Sequence, residues 1–233
     1  MDKAEKFIDT YNKIDKFLRE SENSGSYVTF SQKIKNSKNQ VVQRYGDELI
    51  SLGELRNAIV HNPRYGNKPI AEPYESTVKR IEELFEKITN PKKVIPLFQF
   101  EVLGAQEEDF VNDILIQMKK NSFSQFPVFD ENKEVIELIN NNTISIWLSS
   151  QLEEDGTIMT EKVKIKDLIP EIEFNENYRF VSRSTSIYEA YQMFIDQINN
   201  KERNLDVIFI THSGKKNEKL LGLITIEDIA NQV

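Results

Sequence analysis

Two hydrophobic patterns divide the chain near residue 93. Before that point apolar residues recur every three or four positions, the spacing that gives a helix one buried face. Such segments cover residues 7–18, 47–61 and 75–88, and a less regular one covers about 30–44. Four amphipathic helices in about 90 residues predict a helical bundle over residues 1–92.

After residue 93, short apolar strands alternate with single helices, which is the pattern of a mixed α+β domain. The first set comprises a strand over 94–103, a helix over 107–121, two strands over 126–139 and a helix from Thr143. A second set repeats this order, with a strand over 178–182, a helix over 186–198, and strands over 205–210 and 219–224. The two sets predict an internal duplication of a strand–helix–strand–strand–helix unit.

Two local signals support the duplication. The segment ELINNNTI (137–144) aligns with GLITIEDI (222–229) at an offset of 85 residues. Ser186 and Glu189 have the spacing of a capping box, which predicts that a helix of the second unit begins there.

The duplicated unit resembles a tandem pair of CBS domains, the cystathionine-β-synthase-type module. FVSRSTSIYEAYQMF resembles its opening strand and helix, and VIFITHSGKKNEKLLGLITIEDIA resembles its strand pair and closing signature. The resemblance covers residues 93–233, with the first repeat over about 93–156 and the second over about 157–233. It implies an adenosine-containing ligand (AMP, ATP, S-adenosylmethionine or a cyclic dinucleotide) between the repeats, with no required cofactor and no metal.

The signature Thr-x-x-Asp of the second repeat has chemistry that suits such a ligand. Thr225 lies where a strand gives way to a helix, so its hydroxyl and the unpaired N–H groups there can hold a phosphate. Asp228 can accept both ribose hydroxyls through its two carboxylate oxygens. Strand backbone near Val181, Ser182 and Ile208 is expected to flank the adenine.

A purely structural interpretation stays open for the same residues. Thr-x-x-Asp at a helix start is also an N-cap with an acidic third residue, which stabilises a helix by about 1 kcal/mol without any ligand. In the first repeat the signature positions are Asn140 and Thr143. Asn140 can cap the helix or contact phosphate, but Thr143 cannot bind a ribose diol as a carboxylate does. We therefore expect one competent site.

Several cations of the second repeat are candidates for contact with ligand phosphates, although solvated loop charge is the favoured explanation for each one taken singly. They are Arg183, Lys215, Lys216 and Lys219. His212, in the same turn, is expected to be an exposed turn residue.

In the bundle, the segment 47–61 places polar residues on a helix with an apolar face. Its main stripe contains Leu52, Leu55 and Ile59, and a second line contains Ile50, Gly53, Asn57 and His61. Gly53 costs a helix about 1 kcal/mol relative to Ala, so it predicts close approach by another helix, from this chain or from a second copy. Arg56 lies on the apolar side and needs a partner, for which Glu48, Asp47 and an acid of another helix are the candidates.

The run Arg56-Asn57-Ala58-Ile59-Val60-His61 near the end of the third predicted helix resembles the HEPN superfamily. Ribonucleases of that superfamily pair two such motifs across a homodimer and cleave RNA without a metal. The resemblance implies that Arg56 stabilises charge on the scissile phosphate, that His61 moves a proton, and that Asn57 orients the site. Taken singly, a His at a helix C-terminus is a favourable dipole contact, and an Arg is usually an ion-pair partner.

Charge and composition limit the classes of molecule that the protein is expected to bind. Residues 1–93 carry 17 Lys+Arg and 14 Asp+Glu, whereas the remaining 140 residues carry 13 and 24, so RNA is expected at the bundle if anywhere. Cys is absent, which excludes disulfides and thiolate chemistry and fits a cytoplasmic protein. We find no long apolar run and no cationic leader, and we expect no membrane contact.

Three function classes follow. The first is a nucleotide sensor whose CBS pair controls the helical domain, the second is a nucleotide-regulated HEPN-type ribonuclease, and the third is a protein–protein adaptor.

Overall fold

A computed structural model gives the protein a mixed helix and sheet fold, as the hydrophobic pattern predicts. The structure describes residues 2–21, 28–61, 71–152, 156, 162–175, 177–200 and 205–233. The chain forms two compact units, Met1–Lys92 and Lys93–Val233.

The described part of the first unit consists of helices. They are α1 (Lys3–Ser21), α2 (Phe30–Asn36), α3 (Gln40–Arg44), α4 (Gly46–His61) and α5 (Glu75–Thr89). Helix α1 packs against both α5 and α4, and α2 packs against α4. The apolar stripes predicted on α1 and α5 are buried in this bundle, including Phe7, Ile14, Leu18, Ile81 and Leu84.

The predicted continuous helix over about 30–44 is wrong. Ser37 has an extended backbone and ends α2. Asn39 then caps α3, because its Oδ1 accepts hydrogen bonds from the backbone N–H groups of Val41 (2.9 Å) and Val42 (3.2 Å). A polar residue that offers the backbone such a bond favours a new helix start over a continued helix.

Gly53 of α4 is explained by contacts within the chain. A Cβ atom at Gly53 would lie 3.1 Å from the ring of Phe30 and 3.6 Å from the ring of Tyr11. The close approach that the glycine predicts is therefore made by the aromatic side chains of α2 and α1. The alternative of a second copy is not needed to account for it.

The second unit contains two sets of elements with the same order. The first set is α6 (Val94–Leu97), β1 (Ala105–Gln106), α7 (Val111–Asn121), β2 (Gln125–Phe129), β3 (Val135–Asn140) and α8 (Asn141–Ser150). Two short 3₁₀ turns, Ile165–Asp167 and Ile169–Glu171, precede the second set. The second set is β4 (Tyr178–Ser182), α9 (Ile187–Asn200), β5 (Val207–Thr211), β6 (Gly222–Ile224) and α10 (Ile226–Ala230).

Strand pairing confirms the duplication. In each sheet the first strand pairs in parallel with the second, and the second pairs antiparallel with the third. Phe126 stands opposite Ile139 in the first sheet, as Ile208 stands opposite Ile224 in the second. The capping box predicted for α9 is also present, since Glu189 accepts from the Ser186 N–H at 2.7 Å and donates its own N–H to the Ser186 hydroxyl.

The predicted strand over 94–103 is wrong. Residues 94–97 form a helical turn that contains Pro96, which has no N–H to give to a sheet. The residues that follow run along the edge of β6 instead, where the N–H of Phe100 donates to the carbonyl of Leu221 (3.2 Å). A Cβ atom at Gly222 would collide with the carbonyl oxygen of Phe98, so only glycine fits there.

A shared apolar cluster joins the two sets. Val135 and Leu138 of β3 pack with Tyr178, Val207 and Phe209 of the second sheet. The hydroxyl of Tyr178 donates to the carbonyl of Ile136 across the same junction (3.2 Å). We call this side of each sheet the inter-repeat face.

None of the helices in the described part of the chain is both long enough and apolar enough to cross a bilayer.

Candidate functional site

Thr225 and Asp228 form a capping box at the junction of β6 and α10. The Oδ2 atom of Asp228 accepts from the backbone N–H of Thr225 (2.9 Å) and from its hydroxyl (2.7 Å). The N–H of Asp228 donates to the same hydroxyl over 3.4 Å. Sequence and structure therefore agree on the cap, which is the structural role weighed against ligand binding.

The cap leaves part of the carboxylate available. Both bonds to Asp228 end on Oδ2, and among the described residues none donates to Oδ1. The side chain is exposed. A ribose diol can approach Oδ1 directly, and it can take over Oδ2 if the hydroxyl of Thr225 turns toward a phosphate. Because α10 spans only five residues, its macrodipole is small, and phosphate binding would rest on the hydroxyl.

The two signature positions lie on the inter-repeat face. Side chains alternate along a strand, so Thr225 is on the side of Leu223, which packs on the shared cluster. Asn140 is on the side of Leu138 for the same reason, and Leu138 belongs to that cluster. The structure thus gives each repeat one polar corner, where its last strand meets its last helix.

Two of the three predicted adenine contacts, Val181 and Ser182, lie away from the Thr225 corner, whereas Ile208 pairs with Ile224 beside it. The side chain of Ile208 is fully buried in the central strand β5. The backbone of Ile208 pairs with Arg179 of β4 on one side and with Ile224 of β6 on the other. Val181 and Ser182 lie at the far end of β4, roughly 10 Å along the strand from the end nearest Thr225. Gly214 packs on their backbone, because a Cβ atom there would lie 3.1 Å from the nitrogen of Ser182.

The loop cations are at that far end too. Lys215, Lys216 and Lys219 belong to the connection from β5 to β6, and Ser213 in the same connection pairs with Ser182. They are exposed, as is His212, which confirms the solvated turn as their setting.

The corner of the first repeat is built differently. Asn140 caps α8, since its Oδ1 accepts from the N–H (2.9 Å) and the hydroxyl (3.1 Å) of Thr143. Its Nδ2 donates to Oδ2 of Asp206 at 2.7 Å. Asn177 donates its own Nδ2 to the same oxygen at 2.6 Å. Asn140 is therefore fully engaged by its own chain.

The sequence reasoning missed Asp206 and Asn177. Asn177 is 3% exposed, and its Oδ1 has no hydrogen-bond partner among the described residues. Both residues immediately precede buried strands, β5 and β4. A polar residue just before an apolar strand is a sequence signal that could have drawn attention to each of them. That signal does not predict that the two side chains form a hydrogen bond.

In the first unit, Arg56 contacts both Asn57 and His61 at the end of α4. Nη1 of Arg56 lies 3.0 Å from Nε2 of His61 and 3.3 Å from Oδ1 of Asn57. Among the described residues, none of the acids predicted as partners of Arg56 bonds to it. Glu48 pairs with Arg80 of α5 instead, at 2.7 Å, which lowers the pKa of Glu48.

Tyr11 of α1 lies beneath this group. The guanidinium carbon of Arg56 is 5.4 Å from the centre of the Tyr11 ring, within cation–π range. Burial, and then the negative charge of Asp15, raise the pKa of Tyr11 to about 12, while Arg56 opposes the rise. The phenol is thus neutral, and its ring face is what it offers to Arg56.

No group of three or more potential metal ligands of the His, Asp and Glu type occurs within the described ranges.

Comparison with protein families identifies the second repeat. Residues 157–233 match the family model of the CBS domain. No curated protein matches the chain in sequence.

Solved structures show the same likeness at low identity. The CBS domain of a membrane protein from Sphaerobacter thermophilus is 12% identical, with a TM-score of 0.44 over 66% of this chain and 96% of its own. A CBS domain pair in complex with 5′-methylthioadenosine and S-adenosyl-L-methionine is 13% identical, with a TM-score of 0.43 over 61% and 95%. The CBS domain of a bacterial CNNM/CorC family Mg²⁺ transporter in complex with ATP is 13% identical, with a TM-score of 0.42 over 60% and 86%. The assignment rests on the family match, which shows a CBS domain over residues 157–233, about a third of the chain.

Proposed function

We propose that the protein is a regulatory sensor that binds one adenosyl nucleotide at the Thr225 corner. The observation that carries the proposal is the pairing of half-buried Thr225 with exposed Asp228 on the inter-repeat face, with Oδ1 of Asp228 free of donors from the described residues. A ribose supplies two adjacent hydroxyls, which a carboxylate can accept from together. The match of residues 157–233 to the CBS domain supports the same ligand class.

The proposal departs from the sequence-based one in its adenine contacts. Val181 and Ser182 lie at the far end of β4, so the base would lie near Ile208 at the start of β5, which is beside Thr225 in the sheet. Residues 201–204, which lead into that strand, are outside the described residues, and so is Glu176.

Calorimetric titration tests the sensor. AMP, ATP, S-adenosylmethionine and a cyclic dinucleotide are titrated into the full chain and into an Asp228→Ala variant, with Glu227→Ala as the matched control. Glu227 is the exposed neighbour of Asp228 and takes no part in the capping box. We expect heat from at least one ligand in the wild type and the control, and a loss of at least tenfold in affinity in Asp228→Ala. Equal affinity in Asp228→Ala would limit the carboxylate to a capping role.

The second candidate function is metal-independent cleavage of RNA by the bundle. It is favoured by the contacts of the Arg56 guanidinium with Asn57 (3.3 Å) and His61 (3.0 Å). A neutral His61 can take a proton from a ribose 2′-hydroxyl, and Arg56 can stabilise the charge that develops on the phosphate. The HEPN resemblance implies a homodimer in which two such motifs face each other.

RNA incubation separates the function classes. The wild type, His61→Ala and the matched control His212→Ala are incubated with RNA, with and without the nucleotide that binds. Cleavage that His61→Ala abolishes and His212→Ala keeps supports the ribonuclease. Intact RNA in all samples leaves a nucleotide-binding regulator, and the additional absence of ligand heat leaves a protein–protein adaptor.

A further inference from the structure

Besides their signature residues, the two repeats differ at a polar position that precedes the central strand of each sheet. The strand registers make residue 126 of the first sheet equivalent to residue 208 of the second, because each stands opposite the residue just before the signature position. Counting back two residues, Ser124 is the counterpart of Asp206. The second repeat thus has an acid where the first has a small hydroxyl.

The side chain of Asp206 reaches across to the other repeat. Its backbone belongs to the second sheet, since its N–H donates to the carbonyl of Asn177 (2.7 Å). Its carboxylate nevertheless accepts from Asn140, the signature residue of the first repeat. With Asn177 as a second donor to the same oxygen, the acid is held by two amide groups at 2.7 and 2.6 Å.

We infer that Asp206 is an internal anion that occupies the ligand corner of the first repeat, so that the chain binds a nucleotide only at the Thr225 corner. Two converging amide N–H donors are an anion receptor, and a carboxylate of the chain already fills it. The charge of Asp206 also repels a phosphate that approaches Asn140, because like charges a few ångströms apart in a partly buried site are costly. For the ligand class, this inference rests on the proposed function.

The burial of Asn177 supports this assignment. A side chain that is 3% exposed and keeps one donor on Asp206 is fixed in place by the fold, and its unpartnered Oδ1 is the cost of that arrangement. The first repeat has no acid at the equivalent position, which is Ser124. Ser124 is exposed and short, so it leaves the corresponding space free of negative charge.

Binding stoichiometry tests the closed corner. Equilibrium dialysis with AMP on the full chain compares the wild type, Asp206→Ser, which copies the residue at position 124, and the control Glu131→Ser, an exposed acid of the turn between β2 and β3. We expect one AMP per chain in the wild type and the control. Asp206→Ser should take a second AMP, more weakly than the first because Thr143 offers no carboxylate. Two AMP per wild-type chain, or one in both wild type and Asp206→Ser, overturns the inference.

A second measurement does not depend on ligand. Urea unfolding of Asp206→Ala, Asn140→Ser and the double variant forms a cycle in which Ser keeps a capping oxygen for α8 but removes the Nδ2 donor. We expect the double variant to unfold at about the same urea concentration as the less stable of the two single variants. Additive shifts of the midpoint overturn the inference. If AMP binds neither protein, the AMP-sensor proposal fails, and this cycle alone decides whether Asp206 holds the corner shut.

Discussion

The guanidinium of Arg56 donates a hydrogen bond from Nη1 to Nε2 of His61 across 3.0 Å, five residues further along α4. A guanidinium has no acceptor atom, so the bond requires a lone pair on Nε2. The bond therefore calls for the tautomer of the neutral imidazole that carries its proton on Nδ1. In this state Nε2 is the nitrogen that could accept a proton, and Arg56 stands beside it.

This relationship predicts the tautomer of His61. Two-bond ¹H–¹⁵N correlation spectra should show the Nδ1–H form of the neutral His61 ring, because the bond from Arg56 selects it. In Arg56→Leu the preference should disappear. His212 is exposed in a turn and serves as the internal comparison in the same spectra. An Nε2–H ring at His61 in the wild type would contradict the hydrogen bond.

Two substitutions of Thr225, one that removes its hydroxyl and one that keeps it, are expected to have opposite effects on stability and nucleotide affinity. Thr225→Val keeps the shape and removes the capping oxygen, so the free energy of unfolding should fall by about 1 kcal/mol. Nucleotide affinity should fall roughly tenfold, which corresponds to about 1.4 kcal/mol. Thr225→Ser keeps the hydroxyl and should restore most of both. Urea unfolding and calorimetry measure the two effects, and normal affinity in Thr225→Val would exclude the hydroxyl from binding.

Gly222 predicts a large loss of stability from the smallest substitution. In Gly222→Ala the added methyl group meets a backbone carbonyl, which cannot rotate away as a side chain can. We expect a loss of about 2 kcal/mol or more in the free energy of unfolding of the second unit. In Gly53→Ala the added methyl group meets the Phe30 ring instead, and the gain in helix propensity of about 1 kcal/mol offsets part of the clash. Equal losses for the two variants would contradict this account.

The contribution of Glu218 to the free energy of unfolding is expected to fall at acidic pH. Hydrogen bonds from the hydroxyl and then the backbone N–H of Ser213 lower the pKa of Glu218 to about 2. Because its ordinary value is about 4.5, the unfolded state binds the proton first as the pH falls. The contribution of Glu218 is therefore complete above about pH 4.5 and is lost as the pH falls toward 2.

Urea unfolding of the wild type and Glu218→Gln at pH 7 and pH 3 measures that contribution. The gap in stability between the two proteins should shrink at pH 3. Glu131→Gln, which changes an exposed acid of the turn between β2 and β3, should show no such gap. A gap that is unchanged by pH would mean that the charge of Glu218 does not hold the turn.

Hydrophobic periodicity predicts the elements that need only one buried face, whichever element packs against that face. The stripes of α1 and α5 and the two strand pairs are found where the pattern puts them, because one buried face suffices to specify each. The segment 94–103 fails for the opposite reason. It is apolar enough for a strand, but it contains Pro96, and its residues lie against β6 as an irregular edge.

The candidate sites show the same limit. The pairing of Thr225 with Asp228 is local and follows from their spacing, as does the meeting of Arg56 with His61. Val181 lies away from the Thr225 corner because a strand's sequence does not reveal which of its ends lies near another strand's end. Asp206 and Asn140 are 66 positions apart, and their meeting depends on the association of the two repeats.

The contact of residues 98–100 with Leu221 and Gly222 has a consequence for dissecting the protein. The outer strand of the matched CBS domain is shielded by a stretch that comes more than a hundred positions earlier in the chain. A fragment that starts at the boundary of the family match, residue 157, would present that strand bare to other molecules, and unpaired strand edges invite aggregation. We therefore expect the second repeat to need residues 98–100 to cover its edge, and fragments intended to isolate it should begin at residue 93.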